Sequence, residues 1–178
     1  IDGGWPDPVY AHIPLIHRDD GAKLSKRHGA LGVQEYRDMG ILPEALFNYL
    51  LRLGWGHGDR EEISREEAVQ RFDLTGVGKS PSRFDMKKLL NLNGPYIREA
   101  DDARLARLAA ALIGPQGDAA LLEKAMPVLK TRARDLNELA SGAAFLFKAH
   151  PLVLDDKAQA LLDPGARALL SQISARLS

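Results

Sequence analysis

Asp20-Gly21-Ala22-Lys23-Leu24-Ser25-Lys26-Arg27-His28-Gly29 sets two lysines around a serine, adds an arginine, and closes on glycine. Such a stretch forms a compact cationic loop able to follow a polyphosphate. Lysine suits that task because its ammonium is a point charge on a flexible stem, and charge developing on a departing pyrophosphate is offset by donors placed where it appears. Alone, a Lys-x-Ser-Lys run is most often a solvated basic turn. The flanking sequence decides between the two.

Upstream, residues 1–32 are rich in Gly, Pro and His and read mostly as loop. One apolar run, Ala11-His12-Ile13-Pro14-Leu15-Ile16, suits a strand interrupted by a proline. Downstream the pattern turns helical. Gln34 to Met39 ends at Gly40, as a short helix with a glycine stop should. Pro43 opens a second helix over Glu44 to Leu53, with Ala45, Leu46, Tyr49, Leu50 and Leu53 at helical spacing and Gly54 at its end. Ser64 with Glu67 three residues later forms a capping box ahead of Ala68, Val69 and Phe72. Phe84 to Leu92 predicts another helix, ending in the turn-forming Asn93-Gly94-Pro95.

After about residue 101 Ala and Leu dominate and amphipathic patterns run over 102–113, 118–130, 135–148 and 164–177. Gly114-Pro115, Pro127, His150-Pro151 and Asp163-Pro164-Gly165 mark the boundaries between these helices.

Bulk properties bound the reading. The 178 residues hold 45% hydrophobic and 27% charged residues, the balance of an ordinary globular protein of one domain or two small ones. Lys plus Arg number 24 and Asp plus Glu 24, so any RNA contact must be local rather than a property of the whole surface. Cysteine is absent, which excludes disulfides, thiolate metal sites and a cysteine nucleophile, and accords with a reducing cytoplasm. No apolar stretch approaches the ~20 residues of a membrane span. Ile1-Asp2-Gly3-Gly4-Trp5-Pro6 carries no signal pattern and begins without Met, as the middle of a longer protein would.

Lys23-Leu24-Ser25-Lys26-Arg27 resembles the second signature of class I aminoacyl-tRNA synthetases, in the Lys-hydrophobic-Ser-Lys-Arg form of the glutamyl and glutaminyl branch. Ala11-His12-Ile13-Pro14-Leu15-Ile16 resembles the family's strand near the adenine. Leu42-Pro43-Glu44-Ala45-Leu46, Asn48-Tyr49-Leu50, Leu53-Gly54-Trp55, Lys79-Ser80-Pro81, Phe84-Asp85, Leu92-Asn93-Gly94 and Tyr96-Ile97-Arg98 resemble bacterial glutamyl-tRNA synthetases in the same order over residues 4–99. Beyond that the likeness weakens.

The resemblance implies a mainly α chain in three parts. They are a catalytic-domain remnant with a short strand and the ATP loop (1–32), a helical stem-contact domain (33–100), and the first portion of a helical anticodon-binding domain (101–178). It implies glutamate activation by ATP, with Mg²⁺, to an adenylate and transfer to the terminal adenosine of tRNA, with no tightly bound cofactor. On that reading Lys26 is catalytic, Lys23, Leu24, Ser25 and Arg27 shape and charge the loop, and Ile13, Pro14 and Leu15 lie near the adenine, a plain core strand being the competing reading. Lys79, Arg83, Lys87 and Lys88 are candidates for tRNA contact, equally a solvated face. The glutamate tRNA is the expected partner, with the glutamine tRNA left open, in a cytoplasmic monomer without membrane contact.

No histidine among His12, His17, His28, His57 and His150 sits in the first class I signature, a His-x-Gly-His element. The half that carries it, with most of the glutamate site, is expected ahead of Ile1, and this chain alone is expected to be inactive. Asp19-Asp20 reads as a hydrated turn rather than a metal site, and no metal is expected. Glu61-Glu62 and Glu66-Glu67 read as helix-start residues, not acid/base pairs. Trp5, Trp55 and Tyr96 read as packing anchors. Lys130-Thr131-Arg132-Ala133-Arg134 is either a phosphate-contacting run or a helix boundary facing water. The helical tail argues against glutaminyl identity. The alternative is a non-catalytic, synthetase-derived helical RNA-binding or adaptor protein.

Overall fold

Apolar side chains at three- and four-residue spacing dictate a chain of helices, and a computed structural model bears this out over residues 3–4, 6–25, 31–56, 58, 61–149 and 153–177. The elements in chain order are β1 (Ile16–His17), α1 (Val33–Asp38), α2 (Pro43–Gly54), α3 (Arg65–Arg71), β2 (Ser82–Arg83), α4 (Met86–Glu99), α5 (Asp102–Ile113), α6 (Ala119–Leu129), α7 (Leu136–Ala143), a 3₁₀ turn (Ala144–Phe147), α8 (Asp156–Leu161) and α9 (Pro164–Leu177). The fold is mainly α, as expected. Two compact units divide the chain, Ile1–Ala144 and Phe145–Ser178. In the second, α8 was not anticipated, and α9 leaves Leu169, Leu170 and Ile173 exposed.

Polar residues start most of these helices. Asp85, Asp101, Asp118, Asp135 and Asp155 each accept hydrogen bonds from backbone N–H groups of the first turn of the helix they precede. Ser64 accepts from Glu67 N–H at 3.1 Å, so the serine cap forms as the spacing predicts. Glu66 and Glu67 occupy the first turn of α3, whereas Glu61 and Glu62 precede the helix and contribute instead through the Glu61 carbonyl, which accepts from Asn48 Nδ2.

Within the first unit, α2 packs on α4 through Ala45, Leu46, Tyr49, Leu89 and Ile97, all buried. Leu50, expected on that stripe, is exposed, and Asn48 is buried in its stead. A smaller cluster gathers Trp55, Ile63 and Ala68, with Leu51 and Val77 against it, confirming Trp55 as a packing anchor. Farther along, α5 lies on α6 and α7 over Leu105, Ala106, Ala109, Leu122, Met126, Leu139 and Ala143. Alanines at the contact let the helix backbones approach closely, and the larger side chains fill what remains.

Two breakers do not break. The helix expected to stop at Asn93-Gly94-Pro95 runs on to Glu99, because Asn93 finds tertiary partners in place of its own backbone. Its side chain is fully buried, accepts from Leu42 N–H at 2.9 Å and donates to the Arg134 carbonyl at 2.7 Å. Interior proline costs roughly 3 kcal/mol of helix stability, so packing on both sides of α4 must outweigh it. Pro127 likewise lies inside α6, in its last turn, where the lost N–H would have met only the Glu123 carbonyl. The strand expected over 11–16 is shorter than its apolar run. It is confined to Ile16–His17, past Pro14, while Ile13 and Leu15 are exposed.

Candidate functional site

A hairpin carries the signature loop. His17 pairs with Lys23 in an antiparallel bridge, Leu24 N–H donates to the Ile16 carbonyl at 2.9 Å, and Arg18 N–H donates to the Ala22 carbonyl at 2.8 Å. The turn is made by Gly21 at φ +82°, whose carbonyl meets His17 Nδ1 at 2.8 Å. Asp20 accepts from Ala22 N–H at 3.0 Å and pairs with Arg18 at 2.9 Å, so its carboxylate closes the turn. Among the described residues no group of three or more His, Cys, Asp or Glu side chains gathers to hold a metal ion.

The signature leaves this hairpin directly. Lys23 is exposed, Leu24 and Ser25 are half-buried, and Lys26 and Arg27 lie outside the described residues, as do Trp5, His57 and His150. Beneath the hairpin is a cleft of about 470 Å³ lined by Arg18, Asp20, Leu24, Leu31, Tyr36, Phe84 and Met86 among others. Its walls are cationic and acidic at the hairpin and apolar below.

The hairpin is fastened to the helices by β2. Ile16 and His17 pair in parallel with Ser82 and Arg83, Ser82 N–H donates to the Leu15 carbonyl at 3.3 Å, and Phe84 N–H donates to the His17 carbonyl at 2.8 Å. Behind Phe84, the Tyr49 hydroxyl donates to the Asp85 carbonyl at 2.9 Å and accepts from Asp85 N–H at 2.6 Å. Burial raises the Tyr49 pKa above the ordinary phenol value, which keeps that hydroxyl protonated. Ile13 reaches Gly54: a Cβ there would meet Ile13 Cγ2 at 3.5 Å.

The candidate RNA residues separate. Lys79, Arg83, Lys87 and Lys88 are all exposed. Arg83 and Lys88 line one cleft of about 470 Å³, together with Tyr49, Arg52, Glu61, Glu62 and Asn91. Lys79 and Lys87 do not line it. Arg52 is a cation that sequence reading missed, since it sits in the last turn of α2 where a basic residue has a local explanation in the helix dipole.

The basic run at 130–134 is a helix boundary with internal partners. Lys130 Nζ meets Asp102 at 2.5 Å and donates to the Ala100 carbonyl at 3.1 Å, and Ala133 is buried. Arg134 pairs with Glu138, which holds the Glu138 carboxyl below the usual range through side-chain hydrogen bonds. Tyr96 is half-buried, and its hydroxyl lies 3.5 Å from the Ile63 carbonyl, so it too packs.

Comparison with known proteins accords with this geometry. Residues 3–91 match the model of the catalytic domain of class I tRNA synthetases (E and Q), and residues 102–178 match an anticodon binding domain. The chain is 69% identical over its whole length to glutamate–tRNA ligase 1 of Erythrobacter litoralis, covering 37% of that protein. It is 65% identical over 98% of its length to glutamate–tRNA ligase 2 of Novosphingobium aromaticivorans, again covering 37%. Among solved structures it is similar to a glutamate tRNA ligase from Elizabethkingia meningosepticum in complex with its amino acid, at TM-score 0.76 and 27% identity over 97% of this chain and 39% of that one. Among the described residues no helix is long and apolar enough to cross a membrane.

Proposed function

Since the chain belongs to the class I tRNA synthetases for glutamate and glutamine, catalytic part followed by anticodon-binding part, we propose that the protein containing it is a glutamate–tRNA ligase. The chain spans 37% of the length of its curated relatives, and the activity is that of the whole protein. An oxygen of the glutamate α-carboxylate attacks the α-phosphorus of ATP, the bond to pyrophosphate breaks, and glutamyl-adenylate forms. A hydroxyl of the terminal adenosine of tRNA then attacks the acyl carbon, and AMP leaves.

Lys26 is the catalytic residue of this segment, neutralising the charge that accumulates on the departing pyrophosphate. Lys23 and Arg27 add positive potential around it, Leu24 and Ser25 hold the loop, and Ile13, Pro14 and Leu15 face the adenine. The Asp20 carboxylate is engaged by Arg18 and by Ala22 N–H. Magnesium enters with ATP, carried by the nucleotide's own phosphates.

Arg83 and Lys88, with Arg52 beside them, contact RNA phosphate across their shared cleft, and Lys79 and Lys87 contact it outside that cleft. Residues 1–32, 33–100 and 101–178 serve as catalytic remnant, stem-contact domain and the start of the anticodon-binding domain. The acceptor is the glutamate tRNA, with the glutamine tRNA to be assayed beside it, and the enzyme works as a cytoplasmic monomer. Alone, residues 1–178 are inactive.

The hairpin that ends in an exposed Lys23 and sets Leu24 in the wall of a cleft is the observation that carries the reading. The test is aminoacylation by the full-length protein and its Lys26→Ala variant, where a loss of about 10²-fold in kcat is expected for one transition-state donor. An unchanged rate removes the assignment of Lys26. Glutamate-dependent pyrophosphate exchange by residues 1–178 alone removes the claim that they are inactive.

A further inference from the structure

The signature's one apolar residue, Leu24, needs an explanation that phosphate binding does not supply. Together with Leu31, on the other side of the signature, it lines the cleft whose apolar floor is Tyr36, Phe84 and Met86. The three aromatic rings are arranged around Phe84. Its centroid lies 5.9 Å from Tyr36 in a tilted pair and 5.2 Å from Tyr49 in an edge-on pair. Both distances fall in the range where aromatic quadrupoles attract.

Phe84 is also the residue by which the helices grip the hairpin. Its own N–H donates to the His17 carbonyl, and the next residue's N–H and carbonyl are both taken by the Tyr49 hydroxyl. Asp85 then caps α4 by accepting from Lys87 and Lys88 N–H at 2.8 and 3.2 Å. A displacement of Phe84 therefore shifts β1, which is one strand of the hairpin and holds the other through the His17–Lys23 bridge and the bond from Leu24 N–H to the Ile16 carbonyl.

We propose that Phe84, braced by Tyr36 and pinned from behind by Tyr49, is a positioning residue for the ATP loop: its ring seats Leu24 and Leu31 and its backbone anchors β1. The inference rests on the ligase reading for its kinetic consequence and on geometry alone for its structural one. Phe84 and Tyr49 touch no reacting atom. They set where the phosphate-binding ammonium groups stand, and positioning errors of about 1 Å can cost up to 10²-fold in rate.

The test uses the full-length protein with Phe84→Ala, Phe84→Leu and Tyr49→Phe, the last removing only the hydroxyl. Two readouts are taken, KM and kcat with ATP, glutamate and tRNA varied in turn, and the rate of tryptic cleavage after Lys23, Lys26 and Arg27. In Phe84→Ala the KM for ATP is expected to rise about tenfold while those for glutamate and tRNA stay within about twofold. Cleavage at the loop should quicken, Phe84→Leu should recover part of both effects, and Tyr49→Phe should show a weaker version. Should Phe84→Ala fail to fold, the other two variants carry the test. An unchanged KM for ATP with unchanged loop cleavage overturns the proposal, as does a fall in activity that only tracks the folded fraction. If the unaltered protein forms no glutamyl-tRNA, the ligase reading fails, and the cleavage rates alone then decide the seat.

Discussion

Asn93 ties three stretches of chain together, and Asn93→Ala measures that tie. The side chain is fully buried and makes two short bonds, accepting from Leu42 N–H at 2.9 Å and donating to the Arg134 carbonyl at 2.7 Å, with a third contact to the Gly40 carbonyl at 3.4 Å. Truncation strands one donor and one acceptor away from water, at about 1–3 kcal/mol each. A total near 3 kcal/mol lowers the melting temperature of a chain this size by roughly 6–12 °C, at 2–4 °C per kcal/mol. Asn93→Asp is the sharper probe. It keeps the acceptor for Leu42 but turns a carboxylate toward two carbonyls, so it should be worse than alanine at pH 7. The buried carboxyl has its folded pKa raised, so its destabilisation is smallest below the unfolded carboxyl pKa and grows as pH rises through the folded one. Circular dichroism at 222 nm against temperature, for the unaltered chain and both variants at pH 5 and pH 7, supplies the comparison. A melting point within about 2 °C of the unaltered chain for Asn93→Ala, or an aspartate variant as stable as the asparagine at pH 7, would refute the reasoning.

Two further outcomes follow from the same packing. Gly40 sits at φ +78°, and a Cβ there would stand 2.8 Å from Leu136 N and 2.9 Å from Asn137 N, so Gly40→Ala should cost about 2 kcal/mol or more in urea unfolding. A change under about 0.5 kcal/mol would mean that this approach is looser than the structure has it. Burial raises the pKa values of Tyr36, Tyr49 and Tyr96, so the folded chain holds those phenol protons longer than the unfolded one. Stability from these groups is intact below pH 10 and falls as pH climbs through their folded values. Denaturant midpoints between pH 9 and 11.5 should therefore decline, and the Tyr49→Phe variant should decline less steeply; parallel curves would contradict the assigned burial.

What could be read from the sequence was whatever has a local cause. Pro43 at a first turn, Ser64 with Glu67, and the stripe of Ala45, Leu46 and Tyr49 act within a few residues of themselves, and each element appears where its spacing puts it. Asn93-Gly94-Pro95 misled because its local preference is for a turn, whereas the partners that keep it helical, Leu42 and Arg134, are remote in sequence. Asn48 escaped notice for the same reason: its partner is the carbonyl of Glu61. Of the candidate site, the Lys23–Arg27 signature stood out by composition. The seat beneath it did not, since Tyr36, Phe84 and Met86 are ordinary apolar residues until folding brings them under Leu24.

The parallel pairing of Ile16–His17 with Ser82–Arg83 also sets an order of assembly. A polypeptide emerging from the ribosome exposes the first of these strands long before its mate exists, and parallel partners distant in sequence are slow to find one another. Helices α1 to α3 have time to form in the interval. The hairpin tip thus remains without its support until the residues around Phe84 have been synthesised, and it becomes fixed only after the helices between β1 and β2 have begun to fold.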